Sequence, residues 1–401
     1  MIMSDYVKKT IKVKLDVAPE NKKKLLETFK QFNQACNKVI EAGWIEEDRK
    51  NYNKMELHKE TYREIKDKTD LTANLVCEAR NRGAEAIKQA VIKWSNGKKA
   101  SKPHIHKYSS IIYDKRSSTI KNRYCTLSTI DGRIKAEYLL GNYQKKHLDD
   151  KNYEKRTATL NYNQEKDEFY LHITIRRPVL YENGENTLGV DIGINNLAVT
   201  STGKFFGKEV KWKKNRFFRT RRNLQSKDTR SAKRTLKQIF GRENRYTLDV
   251  LHRISRRIVE EAQKHNCQVI AFEDLTDIRN KTEKYDKRFE RQLHSWGFRK
   301  IQEFTEYKAK EQGIETRYVK PKNTSQKCSK CGHVEKNNRN GNNFKCRKCG
   351  YEVNADYNAS KNIGLKCLKE TLPSDKSSDG MSHGQLALKS EMLNPTTASS
   401  V

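Results

Sequence analysis

The chain opens with alternation. In YVKKTIKVKLD (residues 6–16) apolar and polar positions take turns, the period of a strand with one buried face. From about residue 19 the spacing becomes helical. ENKKKLLETFKQFNQACNKVIEAG sets Leu25, Phe29, Phe32 and Cys36 along one face, and Gly43 is a plausible stop. LTANLVCEARNRGAEAIKQAVIKW repeats that spacing, so a helical insertion of about three helices is expected over residues 19–99. Strand patterns return between residues 100 and 184 in RYCTLST, RIKAEYLLG, RTATLNYN and FYLHITIRRP, and NYNQEKDEFYLHI reads as a hairpin around a polar turn. The first half is therefore a β-rich domain, residues 1–18 and 100–184, with a helical insert.

The second half alternates strand and helix. TLGVDIGINNLAVTSTGKFF is an apolar run carrying an acid, a tight turn and a second apolar run, which reads as two adjacent strands. A basic, mostly helical segment follows. In TLDVLHRISRRIVEEAQKHN, Leu248, Leu251, Ile254, Ile258 and Ala262 lie on one side, and Thr247 is a candidate cap. CQVIAFEDL reads as a buried strand ending on acids, SWGFRKIQEFTEYKAKEQG as a helix and IETRYV as another strand. This order predicts an α/β domain with a mixed sheet. From residue 366 to 401 the chain turns polar and Ser-rich, and a disordered tail is expected.

Charge narrows the class of partner. Lys and Arg number 83 against 50 Asp and Glu in 401 residues, a formal net charge of +33. A surplus of that size predicts salt-dependent attraction to a polyanion, with nucleic acid the natural candidate. No apolar run is long enough to span a bilayer and no signal-peptide pattern is visible, so no membrane partner and a cytoplasmic, nucleoid-associated location are expected.

Of nine cysteines, Cys36, Cys77, Cys125, Cys267 and Cys367 are scattered and read as small buried residues or spare thiols. The other four form two C-x-x-C pairs, Cys328 with Cys331 and Cys346 with Cys349, each followed by a glycine. That spacing is a zinc ribbon over residues 324–350. Four thiolates close the coordination shell, so the Zn²⁺ would be structural, with His333 a bystander. The alternatives are disulfides, disfavoured in a reducing compartment, and an iron–sulfur cluster.

Three acids stand out by position. Asp191 sits in GVDIG at the end of one apolar strand, Glu273 in VIAFEDL at the end of another, and Asp356 opens DYNASKNI, a helix. Acids in such places are costly to bury unless they are paired or bind a metal, and three converging carboxylates could hold two Mg²⁺ ions for phosphodiester hydrolysis. Each has a plainer reading. Asp191 could be a turn acid, Asp356 could be a helix N-cap, and periodicity cannot choose between Glu273 and Asp274. In the basic segment, Lys213, Lys214, Arg216, Arg219, Arg221 and Arg222 lie among Trp212, Phe217 and Phe218. They read as a nucleic-acid surface of cations and stacking rings, or as a solvated helix face whose aromatics reach the core.

Residues 185–365 as a whole resemble a known family. LGVDIGINNLAVTSTG, LHRISRRIVEEA, VIAFEDL, SWGFRKIQEFTEYKAKEQG, KNTSQKCSKCGH and CRKCGYEVNADYNASKNI are similar, in order and spacing, to TnpB, the transposon-encoded RNA-guided DNA endonucleases related to type V CRISPR effectors. The N-terminal half is similar in layout only. The resemblance implies a multidomain α/β and β protein. A RuvC nuclease domain of ribonuclease H-like fold (residues 185–323 and 351–365) would carry an inserted zinc ribbon. A β-rich wedge domain bearing a helical recognition domain would precede it. It assigns the catalytic acids to Asp191, Glu273 rather than Asp274, and Asp356. It also implies a guide RNA and double-stranded target DNA opened to single strands; the sequence does not fix the oligomeric state, and a monomer is the expectation. Family members often carry a second charged residue just before the third acid, where Asn354 and Ala355 stand here. The competing functions are a transposase that joins DNA ends itself and a non-cleaving RNA-guided regulator. The ribbon is expected to pack beside the cleft, help fix Asp356 and guide single-stranded DNA toward the metals, or else only to brace the fold.

Overall fold

The computed structural model describes residues 5–45, 50–181, 186–275 and 297–371. The chain divides into two units, Met1–Pro178 and Val179–Val401.

In the first unit, β1 (Tyr6–Asp16) keeps its alternation, burying Val7, Ile11, Val13 and Leu15 on one face. Helices α1 (Pro19–Gly43), α2 (Lys54–Lys68) and α3 (Ala73–Ser95) follow, occupying the stretch of helical spacing. The face of α1 that carries Leu25, Phe29, Phe32 and Cys36 is fully buried, in one core with the inward residues of β1. The chain then forms β2 (Ile111–Tyr113), β3 (Ser118–Ile120), β4 (Tyr124–Ser128), β5 (Arg133–Leu139), α4 (Asn142–Asp149), β6 (Glu154–Asn163) and β7 (Glu168–Pro178). The six strands join β1 in an antiparallel seven-stranded sheet of order β2-β6-β7-β1-β5-β4-β3, with β1 between β7 and β5. The hairpin expected around QEKD is the β6–β7 pair, closed at Asn163 opposite Glu168.

The second unit is built on a five-stranded sheet. Its elements are β8 (Thr187–Asp191), β9 (Ala198–Thr200), β10 (Phe205–Phe206), α5 (Lys208–Gln225), α6 (Arg230–Lys264), β11 (Val269–Glu273), α7 (Phe298–Glu311) and β12 (Glu315–Val319). The sheet order is β10-β9-β8-β11-β12, with β8, β9 and β10 antiparallel and β11 parallel to both β8 and β12. Three short strands, β13 (Arg339–Asn340), β14 (Asn343–Lys345) and β15 (Glu352–Asn354), form a small separate sheet that leads into α8 (Ala355–Thr371).

Alternation gives the main sheet two different faces. Leu188, Val190, Ile270 and Phe272 point to one side and pack with Leu251, Ile254 and Ile258 of α6 and Phe298 and Ile301 of α7. Val269, Ala271 and Val319 point to the other and pack with Ile363 and Cys367 of α8.

Two local expectations are corrected. Thr247 does not cap a helix. It lies inside α6, whose 35 residues begin at Arg230, where the Thr229 hydroxyl accepts from the Ala232 amide at 3.2 Å. Gly241 is the weakest helix former near that point, and one glycine does not break a strongly helical run. The last helix also runs past residue 366 to Thr371. Its apolar positions Ile363 and Cys367 hold it to the sheet, so the expected tail begins no earlier than residue 372, outside the described residues.

Candidate functional site

Strand register brings the first two acids together. In the parallel pair β8–β11, Val190 stands opposite Phe272. One step on, both strands end, at Asp191 and Glu273, on neighbouring chains about 4.8 Å apart. Both share the face of Gly189 and Ala271, the face covered by α8. Asp274 follows on the exposed side, its amide donating to the Val319 carbonyl at 2.8 Å. The ambiguity that periodicity leaves open is thereby resolved in geometry: Glu273, not Asp274, shares the face of Asp191.

The third acid arrives on α8. A Cβ added to Gly189 would meet the Ser360 carbonyl oxygen at 2.1 Å and the Gly364 amide nitrogen at 2.6 Å. Glycine is therefore what lets the helix backbone rest on β8. The first turn of that helix holds Asp356, which is 6% exposed. Asp356 is not the N-cap, because the Asn354 side-chain oxygen accepts from the amides of Asp356 and Tyr357 at 3.0 and 3.2 Å. The Asp356 carboxylate is left to accept from Asn196 Nδ2 and Arg339 Nη2, each at 3.2 Å.

The three carboxylates share one electrostatic field. Burial raises the Asp191 carboxyl well above the usual range, the charges of Glu273 and Asp356 raise it further, and only Arg339 opposes them. Burial also raises Glu273, against a hydrogen bond from the Thr324 hydroxyl and the charges of Lys366 and Arg339. Gln302 fixes the strand end by donating to the Glu273 carbonyl at 2.8 Å. The three acids do not all lie within 4.8 Å of one another; among the described residues only the four thiols form such a set. A self-repelling, part-buried trio with oxygen donors suits a hard divalent cation, so the residues fit Mg²⁺.

The thiols are closed onto a point. Cys328 and Cys349 Sγ atoms stand 3.8 Å apart, and those of Cys331 and Cys346 stand 3.6 Å apart. Tetrahedral Zn–S bonds of about 2.3 Å require S···S spacings of about 3.8 Å, so the donor set fits zinc. Each knuckle closes through a glycine at positive φ, Gly332 (77°) and Gly350 (71°). Burial raises the Cys346 thiol, but amide donors from Cys349 and Lys348 outweigh it and bring it down to about 7. His333 faces Glu335 at 3.1 Å, consistent with a bystander. The same region carries Arg339, so the ribbon reaches the acid cluster directly.

The basic helix α5 departs from expectation at two positions. Lys214 is buried and its ammonium pKa is lowered by burial. Arg221 is held by Glu243. The fold therefore takes up both. Arg216, Arg219 and Arg222 are exposed, as is Trp212 at 65%, with Arg216 5.9 Å from its ring centroid; Lys213 lies 6.0 Å from the Tyr246 ring.

Sequence reasoning missed Arg339, Asn196 and Thr324. All three sit in polar segments without periodicity, and only the fold brings them to the acids.

Comparison with known proteins finds similarity over parts of the chain. Residues 159–279 match the family model described as a probable transposase, and residues 298–363 match that of the Cas12f1-like TNB domain. The chain is 34% identical over 172 residues to the TnpB-like protein MJ0751 of Methanocaldococcus jannaschii, covering 40% of this chain and 62% of that protein. It is 44% identical over 115 residues to the CRISPR-associated endodeoxyribonuclease Cas12f1 of Sulfoacidibacillus thermotolerans, covering 28% of this chain and 26% of that one. The matches thus span from about a quarter to under two thirds of these relatives. In fold, the chain is similar to a solved Cas12f1–sgRNA–target DNA complex, with a TM-score of 0.54 and 18% identity over 85% of this chain and 82% of that one. In its matched segments the chain is similar both to these effectors and to TnpB-like transposon proteins. Among the described residues, no helix is long and apolar enough to cross a membrane.

Proposed function

We propose that the protein is an RNA-guided, Mg²⁺-dependent DNA endonuclease of a transposable element. The observation that carries this reading is that Asp191 and Glu273 end neighbouring strands on one face, and that Asp191 lies in the electrostatic field of both Glu273 and Asp356. Three antiparallel strands followed by two parallel ones, with helices on both faces, support a RuvC domain of ribonuclease H-like fold. The first unit, a β-sheet with a three-helix insertion, supports the wedge and recognition roles. In this reading a guide RNA pairs with one strand of opened target DNA, and the protein reads duplex shape and a short flanking motif.

Two Mg²⁺ ions held by the three acids would stabilise charge on the scissile phosphate and lower the pKa of the attacking water. The chain's own residues prepare the place. Thr324 orients Glu273, Asn196 and Arg339 orient Asp356, and Gly189 sets the height of α8. Arg339 also brings a cation to the carboxylates from the ribbon, which supports the ribbon's role in fixing Asp356 over a purely bracing one.

Asp191→Ala tests the reading. The variant is expected to bind its transcript like the parent and to lose target cutting. Cutting at the parental rate would overturn the assignment. Donor ends supplied without RNA separate the endonuclease from a direct transposase, since no strand transfer is expected.

A further inference from the structure

A polar cluster at the seam between α6 and α7 uses none of the acids or thiols already described. Lys308 on α7 reaches across to α6, where its Nζ donates to the His252 carbonyl at 2.8 Å and to the Ser255 hydroxyl oxygen. The Ser255 hydroxyl itself donates to the same carbonyl at 3.1 Å, which leaves its oxygen free to accept. The third neighbour of Nζ is the His252 ring, with Nδ1 3.5 Å away. That ring lies flat on Phe304, with centroids 4.1 Å and planes 4° apart, and Tyr307 Oη stands 3.3 Å from the same Nδ1. Among the described residues Lys308 is in no ion pair.

An ammonium carries three donors. A neutral amine carries two, and keeps a lone pair. The seam offers two oxygens, the complement of the neutral form. Burial and the charge of Arg256 bring the Lys308 ammonium down to about 8, against the charge of Glu311. Burial and the charge of Lys308 lower the His252 ring as well, with Arg256 adding to them and Asp249 opposing. The imidazole beside the amine is therefore uncharged at neutral pH. Lys308 is half-buried, and His252 and Tyr307 next to it are exposed, so a small reagent can reach the amine. Arg256, exposed on the same helix, adds a cation that favours an anionic reagent.

We infer that Lys308 is an acylation site, whose amine attacks a small anionic acyl donor of the acyl-phosphate class. The bond from Nζ to the acyl carbon forms, the bond from that carbon to the phosphate oxygen breaks, phosphate leaves with the electron pair, and the amine's proton passes to water. The amide product keeps one N–H where two bonds were made, so the modification weakens the tie between α6 and α7. The inference is independent of the endonuclease reading.

Acetyl phosphate applied to the full-length protein, with the rate at each lysine read by mass spectrometry, tests it. Exposed lysines give the internal scale. Near neutral pH the initial rate at Lys308 is expected to exceed that of the typical exposed lysine on the order of tenfold, because far more of it is uncharged. Its rate should level off above about pH 8, whereas exposed lysines continue to speed up towards about pH 10.4. A rate no higher than the exposed lysines, or one that climbs in parallel with them, would overturn the site. The neutral N-hydroxysuccinimide ester of acetate should favour Lys308 less than acetyl phosphate does; an equal or greater preference would refute the anionic class. Lys308→Gln, which mimics the acetylated side chain, is expected to speed amide hydrogen exchange in α6 and α7 several-fold, and parental exchange would contradict the weakened tie. None of these readouts involves cutting, so the site can fail while Asp191→Ala still abolishes cleavage, and the reverse.

Discussion

Replacing Gly189 by alanine tests how the site is built, because nothing chemical is removed. The added methyl would sit 2.1 Å from the Ser360 carbonyl oxygen and 2.6 Å from the Gly364 amide nitrogen, both backbone atoms. Restoring ordinary contact at 3.4 Å requires a shift of about 1.3 Å between α8 and β8. Asp356 rides on that helix, whereas Asp191 ends that strand. Overpacking of this kind costs about 1–3 kcal/mol, which in a unit of this size lowers the melting temperature by about 2–4 °C per kcal/mol. A misplacement of about 1 Å costs on the order of 100-fold in rate. Circular dichroism melts and cleavage of a guide-matched, fluorescently labelled duplex give the two readouts. Gly364→Ala provides the internal scale. Its methyl meets nothing closer than 3.3 Å, so its effect should be the smaller on both readouts. A Gly189→Ala protein with parental melting and parental cutting would refute the claim that α8 delivers Asp356 by resting on β8.

Other expectations follow from the same geometry. Arg339→Ala should slow cutting by about 10–100-fold, the usual effect of losing a partner that orients a metal ligand, while transcript binding stays parental; an unchanged rate counts against the ribbon's reach into the site. Cys346→Ser should lose zinc and with it a folding contribution on the order of 10 kcal/mol, read by elemental analysis and proteolysis; a folded, zinc-free and fully active variant would contradict the ribbon's role. Asp191 keeps its proton to a higher pH in the folded chain than in the unfolded one, so metal-free stability falls as pH rises from the usual carboxylate range towards that raised value. Asp191→Asn should therefore melt higher than the parent at neutral pH in metal-free buffer and flatten that decline. Melting temperature against pH checks both, and a variant that melts lower would count against the repulsion.

The candidate site was legible where the sequence is periodic. The apolar runs of β8 and β11 mark where each strand ends, and both ends are acids, so Asp191 and Glu273 could be located before their pairing was known. Choosing Glu273 over Asp274 needed the register with Val190, a long-range fact that no local pattern carries. The cysteines were legible because zinc imposes a spacing on the chain itself. Helix α4, NYQKKHLD, was not read, since only Leu148 is buried and its face has no apolar stripe. Lys214 illustrates the limit on charged residues. Its position on α5 is apparent from the sequence, but its burial depends on where the helix packs. Arg339 lies at the far end of that scale: it is one cation in a polar loop, and its contact with Asp356 comes from the fold of the ribbon.

Anomalous diffraction from crystals of the protein grown with Mn²⁺ tests the central claim most directly. Two ions are predicted, both ligated by carboxylate oxygens of Asp191, Glu273 and Asp356. Saturating Mn²⁺ with no ion between these residues, and the three carboxylates still spread apart, would contradict it.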